Sequence, residues 1–247
     1  MSRIYGQNAV EDLLRTQPSA IARVVVARGF TRARDFIERV EAAGVEVREV
    51  PAEELRRRSG GRGAVSVGAD LRIAAPLSVH DLVDAAGDNP LVLALDGVTD
   101  PHNLGAIIRS AAAFGAQAVL TTERRSAPLN DAAVRASAGA VAHVPLIRVT
   151  NLARSLRALQ AGGYWVVASL ADGGQPLWEI DLTGPIVLVI GAEGAGVRPG
   201  VAKVSDLSAH LPLPGPVQSL NASVFAGIAA AEAARQRRAA ASKKSRG

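Results

Sequence analysis

The chain contains no cysteine, so disulfides, thiolate metal sites and a cysteine nucleophile are excluded from the start. Aromatic residues make up only 3% of it. Ala, Val, Leu and Gly must therefore fill the interior, which suits helices packed closely on a sheet better than a sandwich built on aromatic pairs. The four histidines are scattered and show no zinc-ligand spacing, so no metal is expected. No stretch approaches the roughly 20 apolar residues needed to span a bilayer, and the amino terminus, Met1-Ser2-Arg3-Ile4-Tyr5-Gly6, lacks an apolar signal segment. A soluble, cytoplasmic protein with no membrane partner is the expectation.

What is present suffices for a packed core: 48% hydrophobic residues over 247 positions, enough for one large or two small domains. A net charge of +5 serves solubility or a polyanionic partner, because each Lys or Arg placed near a phosphate releases condensed counterions. Residues 4–73 read as a compact α/β unit. Within it the pattern predicts a helix from Asn8, its candidate cap, and a β-branched strand at 21–27; a second helix at 31–43 is stopped by Gly44, and a strand follows at 45–50. The run Leu55-Arg56-Arg57-Arg58-Ser59-Gly60-Gly61-Arg62-Gly63 reads as a basic loop, either a solvated turn or a guanidinium-rich contact for RNA. A linker at 74–90 carries a short helical stretch between Pro76 and the Gly87-Asp88-Asn89-Pro90 cluster.

From Leu91 onward apolar strands alternate with helices, the signature of a mainly parallel sheet covered on both faces. Strands are predicted at 91–95, 118–121, 143–147, 164–169, 186–190 and 209–213, and helices at 104–114, 130–138, 151–161 and 223–238. The last residues, 239–247, form a basic tail expected to fray.

Three segments share small polar residues and follow apolar runs: Asp96-Gly97-Val98-Thr99-Asp100-Pro101-His102-Asn103-Leu104-Gly105, Gly191-Ala192-Glu193-Gly194-Ala195-Gly196, and Leu211 to Ser223 with its Gln218-Ser219-Leu220-Asn221-Ala222-Ser223 cluster. In the third, Ser219, Asn221 and Ser223 all have capping side chains, yet one helix needs only one cap. The second has the order G-x-x-G-x-G, the reverse of the dinucleotide fingerprint, with Glu193 where a pyrophosphate would be repelled and no lysine for a Walker loop. A neutral or cationic ligand fits it better. Asp96 and Asp100 read as turn residues capping the helix near Leu104, and His102 is a minor candidate base.

Together, in order and spacing, the three segments resemble the three motifs of the SpoU/TrmH (SPOUT class) family of RNA ribose 2'-O-methyltransferases, near the subgroup that modifies a guanosine of 23S ribosomal RNA. The resemblance implies an α/β fold: a small amino-terminal α/β RNA substrate-binding domain (1–75), a linker (76–90), a catalytic domain (91–238) whose mainly parallel sheet carries a trefoil knot, and the basic tail (239–247). It implies S-adenosyl-L-methionine as methyl donor, bound around Ile190, Gly191, Gly196, Leu211 and Leu220, and a homodimer acting on 23S ribosomal RNA. It also places Arg109 near the attacking 2'-oxygen, with Asn103, Glu193, Ser219 and Asn221 holding substrate and donor and Glu193 orienting Arg109. A guanidinium with a pKa above about 12 does not lose its proton in proteins, so electrostatic stabilisation suits Arg109 better than the general-base role. Two other readings stay open: methylation of a transfer RNA or another ribosomal site, including an antibiotic-resistance type, and a non-catalytic RNA-binding assembly factor.

Overall fold

The structure, a computed structural model, describes residues 3–30, 33–59, 65–75, 77–84, 89–170 and 173–244. Its amino-terminal unit comprises β1 (Arg3–Tyr5), α1 (Gln7–Thr16), β2 (Ile21–Ala27), α2 (Ala33–Ala42), β3 (Glu46–Val50), α3 (Ala52–Arg58) and β4 (Val67–Leu71). These strands form a four-stranded sheet in the order β1-β4-β2-β3; β2 and β3 run parallel, and β4 runs antiparallel to both its neighbours. After α4 (Val79–Asp84) come β5 (Leu91–Asp96), α5 (Pro101–Ala113), β6 (Ala118–Thr122), α6 (Asp131–Ala136), β7 (Leu146–Val149), α7 (Leu152–Ala161), β8 (Trp165–Ser169), β9 (Gln175–Pro176), β10 (Ile186–Gly191), α8 (Pro199–Ala202), β11 (Leu207–His210) and α9 (Ala222–Lys244). Here the sheet has seven strands in the order β7-β6-β5-β10-β8-β11-β9, and every adjacent pair is parallel.

The sequences of β5, Leu-Val-Leu-Ala-Leu-Asp, and of β10, Ile-Val-Leu-Val-Ile-Gly, are buried throughout, as central parallel strands covered on both faces must be. Leu93, Leu95, Ile107, Ile108 and Ala226 pack on one face, beneath α5 and α9, while Val92, Ala94, Leu156, Val166 and Val189 pack on the other, beneath α7. The first of these cores continues without a break into Ile4, Val10, Leu13, Val24 and Phe36 of the amino-terminal unit. A backbone bond from Ala74 N to Val141 O (3.0 Å) stitches the two together.

Caps fix where the helices start. Asp100 accepts from His102 N ahead of Pro101 in α5, Asn130 from Ala132 N and Ala133 N in α6, and Asn151 from Arg154 N in α7. Each satisfies an otherwise orphaned amide. At the far end of α9, Arg237 donates to the carbonyls of Leu182, Gly184 and Pro90, and Gln236 exchanges hydrogen bonds with Ile180 O and Leu182 N. Burial lowers the pKa of Arg237 from its ordinary value, and the guanidinium serves as a rigid donor fork.

Several predicted elements shift. The first helix begins at Gln7 after Gly6, with no side-chain cap, so Asn8 lies inside the helix. The part of the basic loop at 55–58 is the end of helix α3, where Arg56 and Arg58 pair with Glu53 and Glu54; residues 60–63 lie outside the described residues. Within the linker, α4 matches the expected helical stretch, whereas Pro76, Gly87 and Asp88 lie outside the described residues. The strand expected at 143–147 starts only at Leu146, because residues 140–142 form a 3-10 turn. The one expected at 209–213 ends at His210. Helix α9 runs on to Lys244, through much of the stretch expected to fray; residues 245–247 lie outside the described residues. Strands β1, β4 and β9 and helix α8 are additions.

At Gly105 α5 packs directly against α6. A Cβ there would stand 2.2 Å from Ala133 O and 2.6 Å from Ala136 Cβ, obstacles that move only if a helix moves. Gly105→Ala is expected to cost about 2–3 kcal/mol by overpacking, or roughly 5–10 °C in Tm, in thermal unfolding. An unchanged Tm would show that the α5–α6 contact is loose.

Candidate active site

In a parallel sheet the carboxyl ends of the strands leave open the crevice where ligands sit. Here the segments after β5, β10 and β11 all leave that edge. Asp96, the last residue of β5, has 0% exposure and accepts from Arg198 N at 2.7 Å and Arg198 Nε at 2.6 Å, with Arg198 Nη2 pairing to it as well. Hydrogen bonding to that carboxylate raises the pKa of Arg198. Asp96 is thus an ion-pair anchor between two loops, not the helix cap expected; Asp100 alone caps α5.

The loop after β10 folds back on itself through Ala192 N to Gly196 O (3.1 Å) and Gly196 N to Ala192 O (2.8 Å). Gly194 and Gly196 take positive φ values of 74° and 64°, conformations that glycine adopts without strain. A Cβ on Gly191 would meet Gly196 C at 2.3 Å and Val197 N at 2.5 Å. The close backbone approach at Gly191 is therefore made by the chain's own loop. This arrangement aims Glu193 at the start of α9.

Three side chains converge there. Asn103 Nδ2 donates to Glu193 Oε1 at 2.9 Å; Asn221 Nδ2 donates to the same oxygen at 2.5 Å and to Asn103 Oδ1 at 3.0 Å. Asn221 also caps α9, its Oδ1 accepting from Ser223 N at 2.9 Å and Val224 N at 3.3 Å. The first turns of α5 and α9 and the loop after β10 are thereby bound to one carboxylate.

Beside this cluster lies a cavity of about 350 Å³, within the usual range for small-molecule sites. Ile190, Gly191, Gly196, Leu211 and Leu220 line it, as do Glu193 and Ser219. Residues not anticipated from sequence include Ser169 and Leu170 at the end of β8, Leu213, Gln218, and Phe225 on the first turn of α9. Ser169 Oγ accepts from Gly191 N at 3.3 Å. The signal for Ser169 was its place at the end of a parallel strand, and for Phe225 its position one turn after the capping cluster. The described lining is apolar surface, backbone, hydroxyl, amide and one carboxylate, with no Lys or Arg. Such a wall accepts a purine nucleoside and a cationic group and repels phosphate, so these residues fit S-adenosyl-L-methionine.

Arg109 does not join this set. It is exposed on α5, does not line the cavity, and its side chain has no hydrogen bond or ion pair among the described residues. Glu193 is engaged by Asn103 and Asn221, so within one chain it does not orient Arg109. His102 is exposed, and its backbone N–H donates to Asp100. Among the described residues no group of His, Asp and Glu is arranged to hold a metal ion.

Comparison with known proteins agrees with this geometry. The model of the SpoU rRNA methylase family matches residues 90–231, and that of the RNA 2'-O ribose methyltransferase substrate-binding domain matches residues 3–63. The chain is 39% identical over 241 residues to the 23S rRNA (guanosine-2'-O-)-methyltransferase RlmB of Vibrio parahaemolyticus, covering 96% of this chain and 98% of that protein. Its fold is similar to the AdoMet-bound rRNA methyltransferase of Sinorhizobium meliloti, with a TM-score of 0.67 and 29% identity over 95% of this chain and 87% of the other. It is also similar to the SpoU methyltransferase AviRb of Streptomyces viridochromogenes in complex with AdoMet, with a TM-score of 0.71 and 24% identity over 96% and 90% of the two chains. Motifs, topology and full-length identity converge on one conclusion: the chain belongs to the SpoU rRNA methylase family.

Proposed function

We propose that the protein transfers a methyl group from S-adenosyl-L-methionine to the ribose 2'-hydroxyl of a guanosine in 23S ribosomal RNA. The carrying observation is the Glu193–Asn103–Asn221 cluster, which joins three separated loops beside a cation-free cavity. The RlmB relative is named for this reaction and is matched over almost its whole length, which supports the substrate.

In this reading Ile190, Gly191, Gly196, Leu211 and Leu220 hold the donor, and Phe225 adds an aromatic face for the purine. When bound, the donor supplies an electrophilic methyl group on a positively charged sulfur. Glu193 complements that charge, while Asn103, Asn221 and Ser219 orient the nucleotide. Arg109 holds a fixed positive charge beside the sugar, stabilising the 2'-oxygen as its proton passes to solvent water and the methyl leaves the sulfur for that oxygen, and gripping the adjacent phosphate. Its exposure supports a role across a homodimer. On α9, next to α5, Val224 and Ile228 are 49% and 40% exposed, which supports an apolar face for a second copy.

The same reading assigns residues 1–75 to RNA substrate binding, 76–90 to a linker, 91–238 to catalysis and 239–247 to a basic tail. It takes the carboxy-terminal path as a trefoil knot, supported by the convergence of the loops after β5, β10 and β11. A ribosomal substrate places the protein in the cytoplasm and in rRNA processing.

Mass spectrometry of 23S rRNA fragments from a strain lacking the gene should show the loss of one 2'-O-methylguanosine, regained on complementation; retention of every ribose methyl group would refute the substrate. Arg109→Ala should lower kcat by about 100-fold or more while calorimetry finds donor affinity unchanged. Mixed dimers of Arg109→Ala with Glu193→Gln chains should regain one working site. A mixture as inactive as its parents would show that Arg109 acts within its own chain.

A further inference from the structure

The turn between β6 and α6 carries Glu123, Arg124, Arg125 and Ser126, all at the same carboxyl edge of the sheet as the Glu193 cluster. It is a constructed turn. Glu123 N donates to Val149 O (2.9 Å), Thr122 Oγ1 to Arg124 O (2.7 Å), Ser126 Oγ to Thr122 O, and Arg148 Nη2 to Ala127 O (3.2 Å). Arg125 takes a φ of +56°, a left-handed conformation that a non-glycine residue holds only where its surroundings enforce it.

The turn is also wired to the site. Ala127 N donates to Val98 O at 2.8 Å, and the position of a Cβ on Gly97 lies 3.4 Å from Ala192 Cβ, one residue before Glu193. One loop, 97–99, therefore separates the two arginines from the cluster that orients the nucleotide.

In the amino-terminal unit Arg3, Arg23, Arg39 and Arg58 are neutralised by Asp70, Glu46, Glu11 and Glu54, while Arg28, Arg48 and Arg72 are exposed without an ion pair among the described residues. Arg124 and Arg125 are exposed, with no hydrogen bond or ion pair to their side chains among the described residues, and Arg135 and Arg148 nearby are exposed too. Even with Glu123 the turn is net positive. None of the exposed large apolar residues belongs to it, so it lacks the anchor that a protein hot spot or a membrane surface requires. Paired guanidinium groups on a fixed backbone match phosphate oxygens through charge-assisted, bidentate hydrogen bonds.

We propose that Arg124 and Arg125 form a phosphate clamp that docks the RNA strand flanking the target nucleotide, setting its path into the Glu193 cluster. The inference rests on the RNA substrate proposed above. Phosphate contacts position a strand without reading its sequence, so the clamp acts on RNA affinity and not on the chemical step.

The test uses the full-length enzyme carrying Arg124→Gln with Arg125→Asn, since Asn tolerates the left-handed backbone, and a separate Arg124→Glu variant. The double variant should raise KM for 23S rRNA about tenfold or more, leave kcat at saturating RNA within about twofold, and leave donor affinity by calorimetry unchanged. It should also flatten the slope of log affinity against log salt by about 1.4, the contribution of two phosphate contacts to a single strand. Arg124→Glu should raise KM likewise. RNA affinity and salt slope equal to those of the parent would overturn the clamp, as would a matching loss of donor affinity, which would mark a structural role. If the parent enzyme itself fails to methylate 23S rRNA, the substrate reading falls and the clamp with it; an active parent beside an unaffected variant overturns the clamp alone.

Discussion

A carboxylate sealed from water is tolerated only if it is paired, because a buried charge without a partner costs several kcal/mol. Asp96 is such a group, and its partner is 102 residues away in the sequence. The backbone N–H and the guanidinium of Arg198 must both reach it, so the loop that leaves β10 is drawn across the end of β5. That closure brings Ala192 against Gly97 and sets Glu193 opposite Asn103 and Asn221. Little of this geometry is local. The cavity exists because a long-range ion pair holds two loops at a fixed separation before any ligand arrives, the kind of preorganisation on which electrostatic catalysis depends.

The amino-terminal unit is bound by the same economy of shape. Gly139, with a φ of +83°, leaves room for Gln17, whose Oε1 would lie 2.4 Å from any Cβ placed there, and for Leu13 and Ala20. The apolar core passes between the two sheets without a break. In the proposed function, an RNA held by the first unit therefore meets the edge of the second at a defined orientation. The path between them is set by packing, not by a tether free to swing.

Much of the catalytic half was legible because its signals are local. Uninterrupted apolar runs at β5 and β10 announce buried parallel strands, and Asp100, Asn130 and Asn151 sit where helix caps must. Asn221 was readable for the same reason, although its second role, binding Glu193, is visible only in three dimensions. Failures arose where a local pattern served a distant purpose. Asp96 carries a turn-like neighbour in Gly97, and nothing nearby in sequence points to Arg198. The run Arg56-Arg57-Arg58 precedes glycines and looks like a loop, yet Glu53 and Glu54, one turn earlier, neutralise Arg56 and Arg58 and favour helix. Arg109 was assigned by motif position; its exposure on α5 depends on how α5 is rotated against α6 and α9, which the contacts at Gly105 and Gly227 decide.

Those contacts bear on how charge is distributed. In the first unit many guanidinium groups are spent on neighbouring carboxylates and contribute little to a distant polyanion. At the carboxyl edge of the seven-stranded sheet Arg124 and Arg125 stand free of such partners, and Arg135 is exposed nearby. A modest net charge of +5 thus understates the field that a nucleic acid would meet there. The cavity itself has no cation among its described residues and one carboxylate, Glu193. Positive charge on the approach and negative charge at the donor site are opposite requirements met by neighbouring loops, as expected where a polyanion must be brought to a cationic sulfur without either charge being neutralised by the wrong partner.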